Sequence, residues 1–360
     1  MALSLYFHIP YCVQKCRYCD FYSLGHSAAV PDAYVDALLR QLAHWQRQSG
    51  WQSPQTVYFG GGTPSLLRPE QAARLLEAAA PAPGAEITLE VNPGTVDRKR
   101  LTAFRAAGVN RLSVGVQTAD DASLRRLGRI HTALQSKTTL QDAAAAGFAN
   151  ISGDVMLALP YYTKKELHDT LALLAEGGVS HISSYLLKIE PGTPFGKSPP
   201  AGLPDEDAAA EFYLACVEEC ERLGYAQYEI SNFARPGFES RHNLCYWDCG
   251  DYLGLGPAAH SCVTGKRFYY PSNIDEFIQN GATVPDGECT AQDFIMLQLR
   301  LKKGLSLTAL RRDWDTGFTD GQMAFLRRCA AGGLLTLDGD TVRLTPCGML
   351  VQNSILCELI

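Results

Sequence analysis

The residues best suited to chemistry are three closely spaced cysteines, Cys12, Cys16 and Cys19, in the pattern Cys-x3-Cys-x2-Cys. Thiolates bind iron–sulfur clusters, and a cubane [4Fe–4S] cluster usually takes four of them. Three thiolates leave one iron without a protein ligand, and an open metal position can bind a small molecule. The alternatives are three reduced thiols or half of a zinc site, but a zinc site usually pairs two Cys-x2-Cys knuckles. The spacing therefore predicts one cluster on these cysteines.

The elements around the cysteines predict an active-site loop. The apolar run at 3–9 is typical of a buried strand and ends at Pro10. The cysteines therefore follow the first strand, on the face where α/β barrels carry their active sites. A glycine-rich run at 60–65 follows the next predicted strand, at 56–59. Its glycines let the backbone approach a ligand closely, although such a run alone is often only a turn.

Strands and helices alternate along the first half of the chain. This alternation predicts a parallel sheet with right-handed connections. Six strands are predicted rather than eight, which favours an open, partial (β/α)6 barrel; they lie at 3–9, 56–59, 86–91, 110–117, 150–157 and 180–188. Polar residues stand at the ends of three of them, Glu90, Gln117 and Asp154, and we expect them to share one site. Arg129 could bind a carboxylate through both arms of its guanidinium.

The chain of 360 residues is long enough for more than one unit. We predict the barrel at 1–200, an extension at 201–290 and a C-terminal α+β, winged-helix-like domain at 291–360. Within the extension, the glycine-rich stretch at 250–261 is predicted to close over the cleft. The winged-helix-like prediction includes a hairpin with its turn at 338–340, where Asp-Gly-Asp separates two apolar runs.

Composition excludes several classes of protein. The formal net charge of −6 argues against broad nucleic-acid binding. No apolar run reaches the length of about 18 residues that a membrane span needs, so at most peripheral membrane contact is expected. We expect no signal peptide, and twelve cysteines then indicate a reducing compartment, the cytoplasm.

Taken together, these motifs resemble those of the radical S-adenosylmethionine (SAM) superfamily, and within it the oxygen-independent coproporphyrinogen oxidase family. The segments that carry the resemblance are 6–10 with the three cysteines, 60–65, 90–93, 115–117 and 127–131. The resemblance implies a [4Fe–4S] cluster whose open iron is chelated by the amino and carboxylate groups of SAM. It also implies a set of residues that line the SAM cleft: Tyr6, Gly61, Gly62, Thr63, Glu90, Gln117, Arg129 and Asp154, with Tyr18 beside them.

Three features separate the branches of that family. Two positions after the third cysteine the oxidase branch has a fourth, where this chain has Phe21, and the oxidases also carry an extension before the first strand. The third feature is the run at 241–247, which resembles the haem-binding signature of the haem-chaperone branch. The resemblance implies four haem-binding residues: His242, Asn243, Tyr246 and Trp247. An imidazole can ligate haem iron and the aromatic rings can pack on a porphyrin, whereas the run alone is more often a packed surface corner.

The leading prediction is a haem chaperone that binds haem and a [4Fe–4S] cluster and delivers haem to acceptor proteins, such as respiratory proteins. The alternative is an oxygen-independent coproporphyrinogen III dehydrogenase, in which SAM cleavage yields a radical that starts oxidative decarboxylation of a propionate. A radical SAM enzyme with an unrelated substrate is a third reading. The sequence leaves open whether SAM is cleaved, whether the chain forms a homodimer, and whether Cys245, Cys249 and Cys262 bind a second metal.

Overall fold

The centre of the fold is a set of six parallel strands that lie side by side in chain order. The computed structural model describes residues 3–48 and 50–360. The strands are β1 (Ser4–Ile9), β2 (Thr56–Gly61), β3 (Glu86–Val91), β4 (Arg111–Gln117), β5 (Asn150–Leu157) and β6 (His181–Leu186). Each pairs in parallel with the next, so all six end at the same edge of the sheet. The predicted βα alternation is confirmed.

Helices connect these strands and cover the outer face of the sheet. They are α1 (Asp32–Gln46), α2 (Pro69–Ala79), α3 (Arg98–Ala106), α4 (Asp121–Leu127), α5 (Ala133–Ala145) and α6 (Lys164–Glu176). Side-chain caps start several of them: Asp97 accepts from the Arg100 amide before α3, and Thr163 from the Glu166 amide before α6. Sequence reasoning missed α4, a helix of only seven residues.

The first two strands show how the sheet is buried. Phe7 of β1 and Phe59 of β2 are fully buried, and their rings stack with centroids 5.2 Å apart. Burial of one such side chain contributes about 2–3 kcal/mol. Because the outward residues pack under helices and the inward residues line the barrel, these strands have continuous apolar runs instead of strict alternation.

The middle of the chain extends the sheet at both edges. Its elements are α7 (Pro194–Lys197), α8 (Glu206–Arg222), β7 (Ala226–Gln227), β8 (Asn232–Ala234), α9 (Arg241–Trp247), β9 (Tyr252–Leu255), β10 (His260–Val263), β11 (Lys266–Tyr269), α10 (Ile274–Gln279) and β12 (Val284–Glu288). Strand β9 pairs in parallel with β1, and β8 pairs antiparallel with β6. Of the stretch 250–261, residues 252–255 form β9 and residues 260–261 begin β10; its closure over the cleft stays a prediction.

The complete sheet is open. Its 12 strands have the order β12-β11-β10-β9-β1-β2-β3-β4-β5-β6-β8-β7, and within the described ranges the two edge strands do not pair with each other. This agrees with the predicted partial barrel. None of the helices in 3–48 and 50–360 has the length and apolar character to cross a membrane.

The last part of the chain has its own core. It comprises α11 (Ala291–Arg300), β13 (Leu305–Ser306), α12 (Leu307–Trp314), α13 (Asp320–Ala331), β14 (Leu335–Asp338), β15 (Thr341–Leu344), α14 (Pro346–Leu350) and α15 (Gln352–Leu356). Leu299, Leu310 and Leu326 are fully buried in a cluster separate from that of the barrel. Strands β14 and β15 form the predicted hairpin. Buried residues of 201–290 belong to the barrel core, and the predicted boundary at 201 stays a prediction.

Candidate functional site

A cavity of about 370 Å³, the inner cavity, lies at the carboxyl ends of the parallel strands. The three cysteines Cys12, Cys16 and Cys19 line it. Seven of the nine residues expected around SAM line it as well: Tyr18, Gly61, Gly62, Glu90, Gln117, Arg129 and Asp154. Parallel strands bring these sequence-distant residues together because all six end at one edge.

The cysteine loop is fixed by hydrogen bonds to the elements beside it. The Arg17 amide donates to the Leu127 carbonyl at 3.0 Å, and Gln14 Nε2 donates to the Gly128 carbonyl at 3.0 Å. Gly128 has φ of 77° and ends α4 in the left-handed region, where glycine is favoured. The helix that the sequence did not reveal thus positions the loop.

The surroundings of the thiols fit an iron–sulfur cluster. Burial raises the pKa of Cys12, and it raises that of Cys19 to about 11, as expected for thiols that lack a metal. A Cβ on Gly62 would lie 2.9 Å from Cys12 Sγ, so only glycine leaves room beside the sulfur. No three His, Cys, Asp or Glu side chains of the described residues could hold a single metal ion. A cubane differs from such an ion because each cysteine binds a different iron and the sulfurs stand further apart.

Glu90 is a buried carboxylate whose environment suits a cation. Its oxygens accept from the Tyr58 hydroxyl at 3.0 Å and from the Gly61 amide at 3.1 Å. Burial, followed by repulsion from Asp154, raises the pKa of Glu90 to about 8. A bound ammonium would lower that pKa again, because the positive charge stabilises the carboxylate. The amino group of SAM has this chemistry.

Asp154 forms the far wall of the inner cavity. Its two oxygens accept from the Ser113 hydroxyl at 3.0 and 2.8 Å, and one accepts from Ser152 at 3.2 Å. Burial raises its pKa, against the effect of these hydrogen bonds and of the Arg111 charge. Arg111 is buried, lines the cavity and leaves its Nε without a hydrogen-bond partner. Sequence reasoning missed it, because an arginine at the start of a strand gives no distinctive signal.

Arg129 joins the cysteine loop to the neighbouring strand ends. Its Nη1 donates to Cys16 Sγ at 3.4 Å, and its Nη2 donates to Asn92 Oδ1 at 3.0 Å. Asn92 in turn donates to Thr63 Oγ1 at 2.8 Å. Gln117 has φ of 67°, a conformation that is rare outside glycine and concentrated at functional sites. Asn92 lies in the segment 90–93 that carries the family resemblance, but its contact with Arg129 was not predicted.

Two residues expected in the SAM cleft do not line the inner cavity. Thr63 contacts the cysteine loop instead: its hydroxyl is 3.5 Å from Cys12 Sγ. The Tyr6 hydroxyl is 3.0 Å from His8 Nδ1, and the Tyr6 side chain lines a different cavity. Their expected contact with SAM stays a prediction.

A second, larger space, the outer cavity, has a volume of about 600 Å³. Its lining includes Tyr246, Trp247 and Tyr252. Asp20 and Phe21 line both cavities, so the end of the cysteine loop is a shared wall. Phe21, at the position of the oxidase cysteine, is 68% exposed.

The four residues expected to bind haem are separated by the structure. They lie on α9, which contacts the start of β2 through His242 and Thr56. His242 is buried, with Nδ1 at 2.7 Å from Thr56 Oγ1 and Nε2 at 2.7 Å from the Tyr246 hydroxyl. Burial lowers its pKa to about 3, so the ring is neutral. Asn243 lines the inner cavity, whereas Tyr246 and Trp247 line the outer one. The segment is a short helix in which His242 is buried, Arg241 is exposed and the other five residues are partly buried.

The fold and the site define the class of protein. Residues 6–174 match the description "Radical SAM superfamily", and residues 290–351 match "HemN C-terminal domain". The structure of coproporphyrinogen III oxidase (HemN) from Escherichia coli superimposes with a TM-score of 0.85 and covers 99% of this chain and 89% of that one. Its sequence identity is 24%, so the likeness shows a shared fold. The chain is a radical SAM protein.

Curated relatives narrow the family further. The heme chaperone HemW of Escherichia coli is 43% identical over 267 residues, which cover 73% of this chain and 70% of that protein. Heme chaperone HemW of Mycobacterium tuberculosis is 32% identical and covers 99% of this chain and 94% of its own. A mouse mitochondrial protein, radical S-adenosyl methionine domain-containing protein 1, is 42% identical over 265 residues. The chain belongs to the HemW family of radical SAM proteins.

Proposed function

We propose that this protein is a radical SAM haem chaperone: it binds haem and passes it to acceptor proteins. The observation that carries the proposal is the pair of cavities that share the wall formed by Asp20 and Phe21. One contains three thiols together with buried carboxylates and guanidinium groups. The other is larger, lined by aromatic rings, and its volume of about 600 Å³ is within the range of cofactor sites. The similarity to heme chaperones HemW of two bacteria supports the same function.

The inner cavity is assigned to the cluster and SAM. Cys12, Cys16 and Cys19 would hold the cluster, which supplies an iron with an open position for the amino and carboxylate groups of SAM. Glu90 would pair with the ammonium, since within residues 3–48 and 50–360 the hydrogen-bond partners of its buried carboxylate are the uncharged Tyr58 hydroxyl and Gly61 amide. Arg129 would hold the negatively charged cluster through its contact with Cys16.

The outer cavity is assigned to haem. Tyr246 and Trp247 offer aromatic surface to a porphyrin there, and Trp247 also leaves its Nε1 without a hydrogen-bond partner. His242 and Asn243 remain predicted haem residues. In the described conformation His242 has no free ring nitrogen, so ligation of iron would require α9 to move. The structure favours another role for His242, which is to hold Tyr246 in place.

Delivery requires an acceptor with a higher affinity for haem, and respiratory haem proteins are the proposed acceptors. We place the protein in the cytoplasm, because the cysteines at 12–357 are free thiols and a reducing compartment keeps them so. Phe21 and Met296 line the outer cavity and are exposed to solvent, which suits release of a bound ligand.

The test is a side-by-side measurement on the anaerobically reconstituted protein. Ferric haem is titrated against it and followed by its Soret band, and the haem-loaded protein is then mixed with an apo haem protein. Stoichiometric binding followed by transfer is the expected result. Coproporphyrinogen III and SAM are tested in parallel, and no protoporphyrinogen is expected because Phe21 stands where the oxidase branch has a cysteine. Failure to bind haem, or SAM-dependent decarboxylation, would overturn the proposal.

A further inference from the structure

Three cysteines outside the cysteine loop line the outer cavity. Cys249 follows α9, Cys262 lies on β10 and Cys289 follows β12, so three separate elements bring them together. Cys249, Cys262 and Cys289 all line this cavity, and the three cysteines interact strongly enough to shift one another's pKa. Sequence reasoning had instead considered Cys245 with Cys249 and Cys262, but Cys245 Sγ is turned toward the Asp251 carbonyl, 3.5 Å away.

Cys289 shares the cavity lining with a cation. The Arg267 guanidinium lines the same cavity, and Cys249 and Cys262 act together with it to lower the pKa of Cys289 from its ordinary value. The Cys289 amide is anchored to the Gly265 carbonyl at 2.8 Å, which fixes its backbone at the cavity wall. Cys249 has φ of 51°, an uncommon conformation for a residue other than glycine.

The cluster does not have the arrangement of a metal-ion site. In the part of the chain that the structure describes, no three His, Cys, Asp or Glu side chains could jointly hold a metal ion. Haem makes a different demand, because the porphyrin supplies four ligands and the protein supplies one or two axial ones. A single cysteine at the wall of a large cavity that also contains a guanidinium meets that demand.

The rest of the lining suits the same ligand. Met296 and Leu297 add apolar side chains to the lining. Arg267 provides a cation for a haem propionate; its present partners, Asp286 and Asp293, are both 3.6 Å away.

We infer that haem binds in the outer cavity with the thiolate of Cys289 as an axial ligand of its iron. The inference rests on the proposed haem-binding function and deepens it. Ligation forms one iron–sulfur bond and displaces the axial water of ferric haem, while the thiol proton, where still present, passes to solvent. No electron is transferred.

The experiment compares Cys289→Ser with the parent and with Cys347→Ser, which changes an exposed thiol of α14. Each reconstituted full-length protein is titrated with ferric haem, then reduced under carbon monoxide to record the Soret band. We expect the parent and Cys347→Ser to show the red-shifted band of a thiolate ligand. Cys289→Ser should lose that band and bind haem at least about tenfold more weakly, the scale of losses at metal sites. Its iron and sulfide content should be unchanged, which also verifies folding.

Two further variants keep the inference testable. Met296→Trp adds bulk at a half-exposed position of the cavity wall, and we expect weaker haem binding with the thiolate band retained. His260→Ala removes an imidazole that lines the outer cavity. The Nδ1 atom of His260 lies 3.5 Å from the Asp286 carboxylate. If His260→Ala changes the Soret band and Cys289→Ser does not, the thiolate assignment is overturned.

The outcomes separate the inference from the function beneath it. A parent that binds no haem defeats the proposed function. A parent that binds haem with the same spectrum and affinity as Cys289→Ser defeats only the assignment of the ligand. Loss of haem binding in Met296→Trp supports the outer cavity even if Cys289→Ser fails to fold.

Discussion

Glu90→Gln offers the sharpest test of the inner cavity. The side chain keeps its size and its hydrogen bond from Tyr58, but it can no longer ionise. Its new amide nitrogen faces the Gly61 amide, a pH-independent cost of about 1 kcal/mol. The free energy of unfolding of the variant at a single pH therefore does not reveal the pKa of Glu90. The pH dependence of the difference between variant and parent is the diagnostic quantity.

The magnitude follows from the pKa of Glu90. Its ordinary value is 4.5, and burial together with the Asp154 charge raises it to about 8. Between these two values the folded state binds more protons than the unfolded state, so the parent loses stability as pH rises. Each pH unit costs about 1.4 kcal/mol, which gives about 5 kcal/mol over the whole window. Below pH 4.5 and above pH 8 the difference between parent and variant is constant.

The assay is urea unfolding of the cluster-free protein at intervals from pH 4.5 to 9, with Glu77→Gln as a control. Glu77 is an exposed carboxylate on α2, so its variant should follow the parent at every pH. Glu90→Gln should become progressively more stable relative to the parent up to pH 8. In the reconstituted protein, SAM should stabilise the parent far more than Glu90→Gln, because its ammonium pairs with the carboxylate. Parallel curves for the parent and Glu90→Gln would refute the reasoning.

Three other predictions concern the remaining parts of the site. Cys16→Ala should lose most iron and sulfide after anaerobic reconstitution, measured by elemental analysis; a full cluster in that variant would contradict the assignment. His242→Ala should lower the free energy of unfolding by roughly 1–3 kcal/mol, because the buried hydroxyls of Thr56 and Tyr246 lose their partner. If His242 only positions Tyr246, haem affinity in this variant should fall with the Soret maximum unmoved, whereas a shifted maximum would show that it ligates iron. Trp247→Ala should weaken haem binding through lost aromatic contact and leave the cluster content unchanged.

The sequence predicted the inner cavity well, for a physical reason. Cys12, Glu90 and Asp154 each follow or end a strand with a strong apolar pattern. Parallel strands joined by helices must end at one edge, so their terminal residues meet even when they are distant in sequence. Strand positions were correct to within a few residues, since apolar runs bounded by glycine and proline are a local signal.

Features that depend on packing were not predicted. Strand β9 was not predicted, because the glycines of this stretch signal a turn, yet it pairs with β1. Helix α4 is too short for its periodicity to stand out, although it anchors the cysteine loop. Arg111 gave no signal, because its burial depends on the inside of the barrel.

The sequence by itself determined that three thiols suited to a cluster lie within one short loop, since the spacing of Cys12, Cys16 and Cys19 is a local property of the chain. Only the tertiary structure decided where the residues of α9 point. A helix presents neighbouring positions to different surroundings, so His242 is buried, Asn243 faces the inner cavity and Trp247 faces the outer one. The meeting of Cys249, Cys262 and Cys289 was likewise decided by strand pairing, because contacts between three separate elements are not encoded in any one stretch of sequence.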